Sequence, residues 1–171
     1  MSALAPAAAG QARGASSVVT AMTIAASAAR VWDGLMFYEQ IPGRPPLALR
    51  LLLPSPRGTR GPRSAVGDET RCLYDRGHLL KRVTGIDPRR HYGFDVVEQD
   101  VAIGTGIRLT GGGYTLVELP DGSTRLELET RYLSPARPRW LCRPIEAAVC
   151  HAFHRHILRG MRRDVETRGD N

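Results

Sequence analysis

Three histidines close together in CHAFHRHIL, His151, His154 and His156, are the first candidates for chemistry. Imidazole is the commonest metal ligand and a general base near neutral pH. Helical spacing divides them. At about 100° per residue, His151 and His154 stand roughly 60° apart on one flank, and His156 lies about 160° from His154. The three cannot converge on one ion, and the run lacks the i, i+4 pair of the zinc-protease helix, so no metal site is expected. His156 falls between Phe153 and Gly160, in the middle of the apolar face assigned to this segment. A neutral imidazole there would bond a ligand carbonyl or phenol, or move a proton; a strand hydroxyl would satisfy it equally well. Gly160 would admit a ligand or a second backbone, or simply relieve packing.

Other constellations are structural. Arg125, Glu127, Glu129 and Arg131 alternate on one strand and read as an outward ionic surface, not a catalytic carboxylate pair. There is no nucleophile elbow, and GTGIRLTGGG lacks the strand-to-helix context of a phosphate cradle. Arg155, Arg159, Arg162 and Arg163 make a basic helix end. It suits weak contact with an anionic membrane surface or a protein, and equally a solvated face that complements the helix dipole.

These side chains need a frame. PIEAAVCHAFHRHILRGMRRDVE, from Pro144 to Glu166, carries Ile145, Val149, Ala152, Phe153, His156, Ile157, Gly160 and Met161 at three-and-four spacing. That spacing predicts an amphipathic helix on the order of 35 Å long, enough to cover about six strands. Before it, Ser17 to Ala25 reads as a first strand, and Ser27 caps a helix running to Glu39 with Val31, Leu35 and Tyr38 buried. Leu47 to Leu53 suits a short second helix. Ser55 to Gly67, rich in Arg, Gly and Pro, is expected as an irregular loop, either a flap over a cavity mouth or a solvated connection.

From Asp68 the period changes to two. DETRCLYD, GHLLKRVTGI, RHYGFDVVEQ, GIRLTGGGYTLVEL and STRLELETRYL are five strands of an antiparallel meander, with Asp121-Gly122 the clearest hairpin turn. In the last, Thr124, Leu126, Leu128, Thr130 and Tyr132 share the covered face. Gly111 to Gly113 invite a bulge that bends the sheet.

The chain of 171 residues fits one α+β domain over 17–167, with a disordered Ala/Gly-rich leader over 1–16 and a short tail over 168–171. Three cysteines without metal-ligand spacing predict reduced thiols and a cytoplasmic location. No segment is apolar enough to cross a membrane as a helix. The net charge of +7 rests on arginine, with Lys81 the sole lysine. That favours anionic partners in general, or reflects codon composition. Two Trp, five Tyr and three Phe, with scattered basic residues and no nucleic-acid motif, argue against nucleic acid as partner. No cofactor is expected, and the oligomeric state is open.

The order strand, two helices, five antiparallel strands, long terminal helix resembles the helix-grip fold of the START-related superfamily, also called SRPBCC. That superfamily includes polyketide cyclases, plant allergens and lipid-transfer domains. The resemblance covers roughly Val18 to Glu166, through TIAASAARVWD, GDETRCLYDRGHLLKRVT, YEQIPGRPP, RLLLP, GGGYTLVEL, TRYLSPARPRWLCRPIE and HRHILRGM; the last five resemble an uncharacterised bacterial branch. It implies a curved antiparallel sheet of about six strands wrapped around the terminal helix, enclosing a cavity for an apolar or amphipathic molecule. Inward candidates are Cys72, Tyr74, Tyr92, Phe94, Leu126, Leu128, Thr130, Tyr132, Phe153, His156 and Gly160, which would equally serve as packed core. Three functions follow as expectations: binding of a lipid, quinone or polyketide-like molecule; a cyclase- or dehydratase-like enzyme using His156 and cavity tyrosines; or an interaction module.

Overall fold

The computed structural model describes residues 15–168. Seven strands form one antiparallel sheet in the order β1-β7-β6-β5-β4-β3-β2. They are β1 Ala15–Ile24, β2 Pro56–Arg60, β3 Glu69–Tyr74, β4 Gly77–Asp87, β5 His91–Asp100, β6 Arg108–Glu118 and β7 Thr124–Leu133. Helices α1 Ala28–Asp33 and α2 Leu47–Leu52 follow β1, and α3 Arg139–Thr167 closes the chain across the concave face. This is the helix-grip arrangement, α+β, with two short helices after the first strand.

Period-two patterning does what it should. In β7, Thr124, Leu126, Leu128 and Tyr132 are buried beneath α3, while Arg125 and Arg131 face water. The outer face carries the expected ion pairs, Arg125 with Glu127 at 2.9 Å and Arg131 with Asp95 at 2.9 Å. Gly111 sits at a register shift between Leu109 and Gly111 with φ near 158°, and a Cβ there would meet Phe94 O at 2.6 Å. Only glycine allows the sheet to fold so tightly at that point.

Several expectations need correction. β1 begins at Ala15, so Ala15 and Ser16 belong to the strand and not to the leader; residues 1–14 and 169–171 lie outside those described. The first helix ends at Asp33, because Gly34 caps it, and Tyr38–Gln40 form a separate 3-10 turn. The supposed loop contains β2, a seventh strand paired with the edge of β3. An edge strand tolerates Pro56 at its start and the bulge at Gly58, which is why its composition hid it.

α3 starts at Arg139, ahead of the expected Pro144, which stands inside the helix. Its buried residues are His154, Ile157, Leu158, Met161 and Val165. The apolar period is the expected one and its phase is not: Ile145 and Ala152 are exposed, and Leu158 and Val165 are core. The C-terminal half of α3 packs in one core with Ile24 and Leu126 of the sheet and Val31 of α1. The N-terminal half, bearing exposed Trp140 and Ile145, stands away from it. The space beneath that half is the site.

Candidate functional site

A cavity of about 200 Å³ lies between the concave sheet and the N-terminal half of α3. The sheet contributes Tyr74, Leu109, Thr130 and Tyr132; α3 contributes Ile145, Glu146, Val149, Cys150 and Phe153. Leu52 to Pro54 from the end of α2 and Ile103 and Ile107 from the β5–β6 connection complete the mouth. The alternation of β7 positions Thr130 and Tyr132, and helical spacing stacks Val149, Cys150 and Phe153 above them. Deeper in, a chamber of about 50 Å³ shares Tyr38, Tyr74, Leu109, Thr130 and Phe153 with the outer one and adds Lys81, Phe94 and Leu128.

The walls are mostly apolar, so each polar atom in them matters. Tyr132 has its hydroxyl buried with no hydrogen-bond partner among the described residues. Burial raises its pKa, with the nearby Glu146 carboxylate adding to the effect. Glu146 itself accepts a bond from Ser134 Oγ at 2.5 Å. The Tyr132 phenol is therefore a buried, neutral donor on the cavity wall that, with Glu146 turned to Ser134, has no partner in bonding geometry among the described residues.

At the inner end, Tyr74 donates its hydroxyl to Glu39 Oε1, and Lys81 Nζ lies 3.5 Å from Glu39 Oε2. The Glu39 side chain is fully buried. Burial alone would lower the Lys81 pKa, but the Glu39 carboxylate, helped by Cys72, outweighs it and holds the ammonium above its usual value. Nζ also sits 4.3 Å from the Phe37 ring centre and 5.2 Å from that of Phe94, so two aromatic faces replace lost water. Tyr74 is raised well above the ordinary tyrosine range by burial and then by Glu39, and it stays protonated. The cluster is thus a charge-compensated pair with a phenol on the cavity wall.

His154, not His156, is the buried histidine of α3. Its Nε2 lies 2.8 Å from Thr130 Oγ1 and its Nδ1 lies 2.9 Å from Thr20 Oγ1, which in turn lies 2.7 Å from His151 Nδ1. A neutral imidazole donates from one ring nitrogen and accepts at the other, and each threonine hydroxyl can take either complementary role. Burial, with His151 adding to it, pushes the pKa down to about 3. His156 is half-buried, packs edge-on against Tyr38 with ring centres 6.0 Å apart, and does not line the cavity.

The remaining sequence candidates divide. Tyr74, Thr130, Tyr132 and Phe153 line the main cavity, and Phe94 and Leu128 line the inner chamber. Cys72 and Leu126 are core, and burial pushes the Cys72 thiol up to about 12. Tyr92 opens instead on a separate cleft beside Arg63 and donates to Arg63 O at 2.9 Å. Gly160 meets protein and not cavity: a Cβ there would lie 2.5 Å from Ile41 Cγ2. None of residues 55–67 lines the cavity, and Arg63 is tied to Leu35 O at 2.9 Å. Arg155, Arg159, Arg162 and Arg163 are exposed. Among the described residues no three His, Cys, Asp or Glu side chains are grouped to hold a metal ion, and no helix is long and apolar enough to cross a membrane.

Sequence reasoning missed Glu39, Lys81 and His154. A signal existed for the first two: Lys81 alternates with Leu79 and Val83 on the inward face of β4, and a buried ammonium requires a buried anion. His154 would have emerged from the run 154, 157, 158, 161, 165, the better i, i+3, i+4 series.

No family model matches the chain. No curated protein matches it either. Solved structures do. The ZhuI aromatase/cyclase from Streptomyces sp. R1128 superposes with a TM-score of 0.62 at 18% identity, over 90% of this chain and 95% of that one. A START superfamily protein from Mycobacterium smegmatis gives 0.58 at 15% identity, over 88% and 97%. Ara h 8.0201 gives 0.53 at 12% identity, over 90% and 99%. At such identities the likeness concerns the fold alone, the helix grip that these structures share.

Proposed function

We propose that this protein binds a hydrophobic or amphipathic small molecule, of lipid, quinone or polyketide-like character, in the cavity between the sheet and α3. The observation that carries this reading is the Tyr132 hydroxyl, buried without a partner among the described residues in a mostly apolar wall. A buried hydroxyl left unpaired costs about 1–3 kcal/mol, a cost that a ligand oxygen removes. The apolar body of the ligand would lie against Leu109, Val149 and Phe153, with an oxygen function at Tyr132.

Native mass spectrometry of the purified protein, with extraction of released molecules, tests the reading directly. A stoichiometric apolar adduct is expected, and Tyr132→Phe should weaken its retention several-fold. A protein that carries no adduct and also fails to bind the neutral dye N-phenyl-1-naphthylamine overturns it.

A second reading, cyclase- or dehydratase-like proton transfer on the bound molecule, draws on Tyr74 and Glu39. A cavity-wall phenol bonded to a buried carboxylate has the form of an acid–base pair, and it moves that role away from His156. Tyr74→Phe would then abolish turnover of an identified ligand while leaving its binding intact. Equal loss of both returns the reading to binding alone.

A further inference from the structure

Beside the cavity stand apolar side chains that none of the described residues covers. On α2, Leu47 and Leu51 stand one turn apart and are 67% and 77% exposed. On α3, Leu141 and Ile145 form a second one-turn pair, and Trp140 beside them is 78% exposed. Leu52, next to Leu51, and Ile145 both line the cavity, so the two ridges stand beside it on α2 and α3. Isolated exposed leucines are ordinary; a cluster containing a nearly free tryptophan at a cavity entrance marks an interaction surface.

Charge identifies the occupant. From Ile41 to Pro54, the segment that reaches the cavity through Leu52 to Pro54, the chain has no Asp or Glu, but it has Arg44 and Arg50. From Leu133 to Ile145 it again has none, with Arg137, Arg139 and Arg143. The third rim segment, Val101 to Leu109, carries Arg108 and no carboxylate. Glu146 is the exception at the mouth, and it is turned to Ser134 Oγ. Arg44, Arg50, Arg137 and Arg143 are exposed. Arg139 and Arg143 flank Trp140 and Pro144 around one shallow groove.

We propose that this rim docks on an anionic lipid bilayer, with Trp140, Leu141, Ile145, Leu47 and Leu51 entering the interface and the flanking arginines meeting lipid phosphates. Tryptophan prefers the headgroup boundary, and arginines draw a protein to anionic lipid. The surface differs from the arginine-rich end of α3 because here exposed apolar side chains are combined with a basic border whose carboxylate, Glu146, is turned to Ser134. Docked in this way, the cavity opens toward the hydrocarbon layer.

The test is co-sedimentation with phosphatidylcholine vesicles, with and without phosphatidylglycerol, together with tryptophan emission. Trp32 packs against Tyr92, so a change on binding reports Trp140. Binding is expected only with phosphatidylglycerol, with a blue shift and at least tenfold weakening between low and physiological salt. Trp140→Glu and Leu51→Glu, both at exposed positions, should each reduce binding at least tenfold without lowering Tm. Arg159→Glu should leave it unchanged. Absent binding, or binding indifferent to Trp140→Glu and Leu51→Glu, overturns the proposal. So does a lipid-free dimer that these two variants dissolve, since a second copy would then be the occupant. The readout uses no cavity ligand, and the cavity-filling variant Val149→Trp should still bind vesicles. Failure here is therefore distinct from failure of the small-molecule reading.

Discussion

Thr130 Oγ1 stands 2.8 Å from His154 Nε2, joining the cavity wall on β7 to the buried side of α3. The contact fixes how α3 is rotated over the sheet. Thr20 on β1 holds the other ring nitrogen, so a single imidazole spans two neighbouring strands. His154→Ala removes both bonds and leaves a void in a fully buried position. A loss of about 2–4 kcal/mol is expected, measured by urea unfolding.

The same residue sets a pH dependence. Its folded pKa is depressed from 6.5 to about 3, so the unfolded chain binds the extra proton between those values. Stability from this group is fully present above about pH 6.5 and is lost as pH falls toward 3, by at most about 1.4 kcal/mol per pH unit. His154→Gln, which cannot titrate, should flatten the slope of unfolding free energy across that window. An unchanged slope would assign the acid sensitivity to other groups.

Glu39 and Lys81 are predicted to behave as a unit. Lys81→Met strands a carboxylate whose side chain is fully buried, and about 3–5 kcal/mol of stability should go with it. Glu39→Gln combined with Lys81→Met keeps an acceptor for the Tyr74 hydroxyl and removes both charges. Most of the loss should return in the double variant, seen as a recovered denaturation midpoint. Additive losses would show the two side chains to be uncoupled.

Gly160→Ala sets helix propensity against packing. Alanine gains about 1 kcal/mol in a helix interior. Its Cβ, however, would lie 2.5 Å from Ile41 Cγ2, on a branched and buried side chain that has no free direction to move. Overpacking of this kind costs about 1–3 kcal/mol, so net destabilisation is expected, and Ile41→Ala should relieve it. Thermal unfolding of the three proteins decides the sign.

Val149 reaches into the cavity from an only partly buried helix position. Val149→Trp should lower the affinity for N-phenyl-1-naphthylamine at least tenfold while Tm changes little, because the added ring enters existing space. Dye fluorescence and a thermal scan measure both.

Much of the architecture is legible in the chain. The period-two runs from Glu69 to Leu133 determine five of the strands and which side chains face inward, because a strand offers only two faces. Ser27 announces α1, and the leucine run between Pro46 and Pro54 announces α2. The edge strand β2 stayed hidden because a peripheral strand is held by one partner and tolerates Pro56 and Gly58.

The site is different in kind. A helical face has a continuous phase, and a shift of little more than one residue exchanges His156 for His154; only packing against Thr20 and Thr130 decides between them. Glu39 meets Lys81 across 42 positions of chain, a pairing that no local spacing encodes. By itself, then, the sequence determined the strands, the helices and the grip of one upon the other, since these follow from local periodicity. The tertiary structure alone decided which polar groups are buried together and where α3 leaves the sheet, because both depend on contacts between segments distant in the chain.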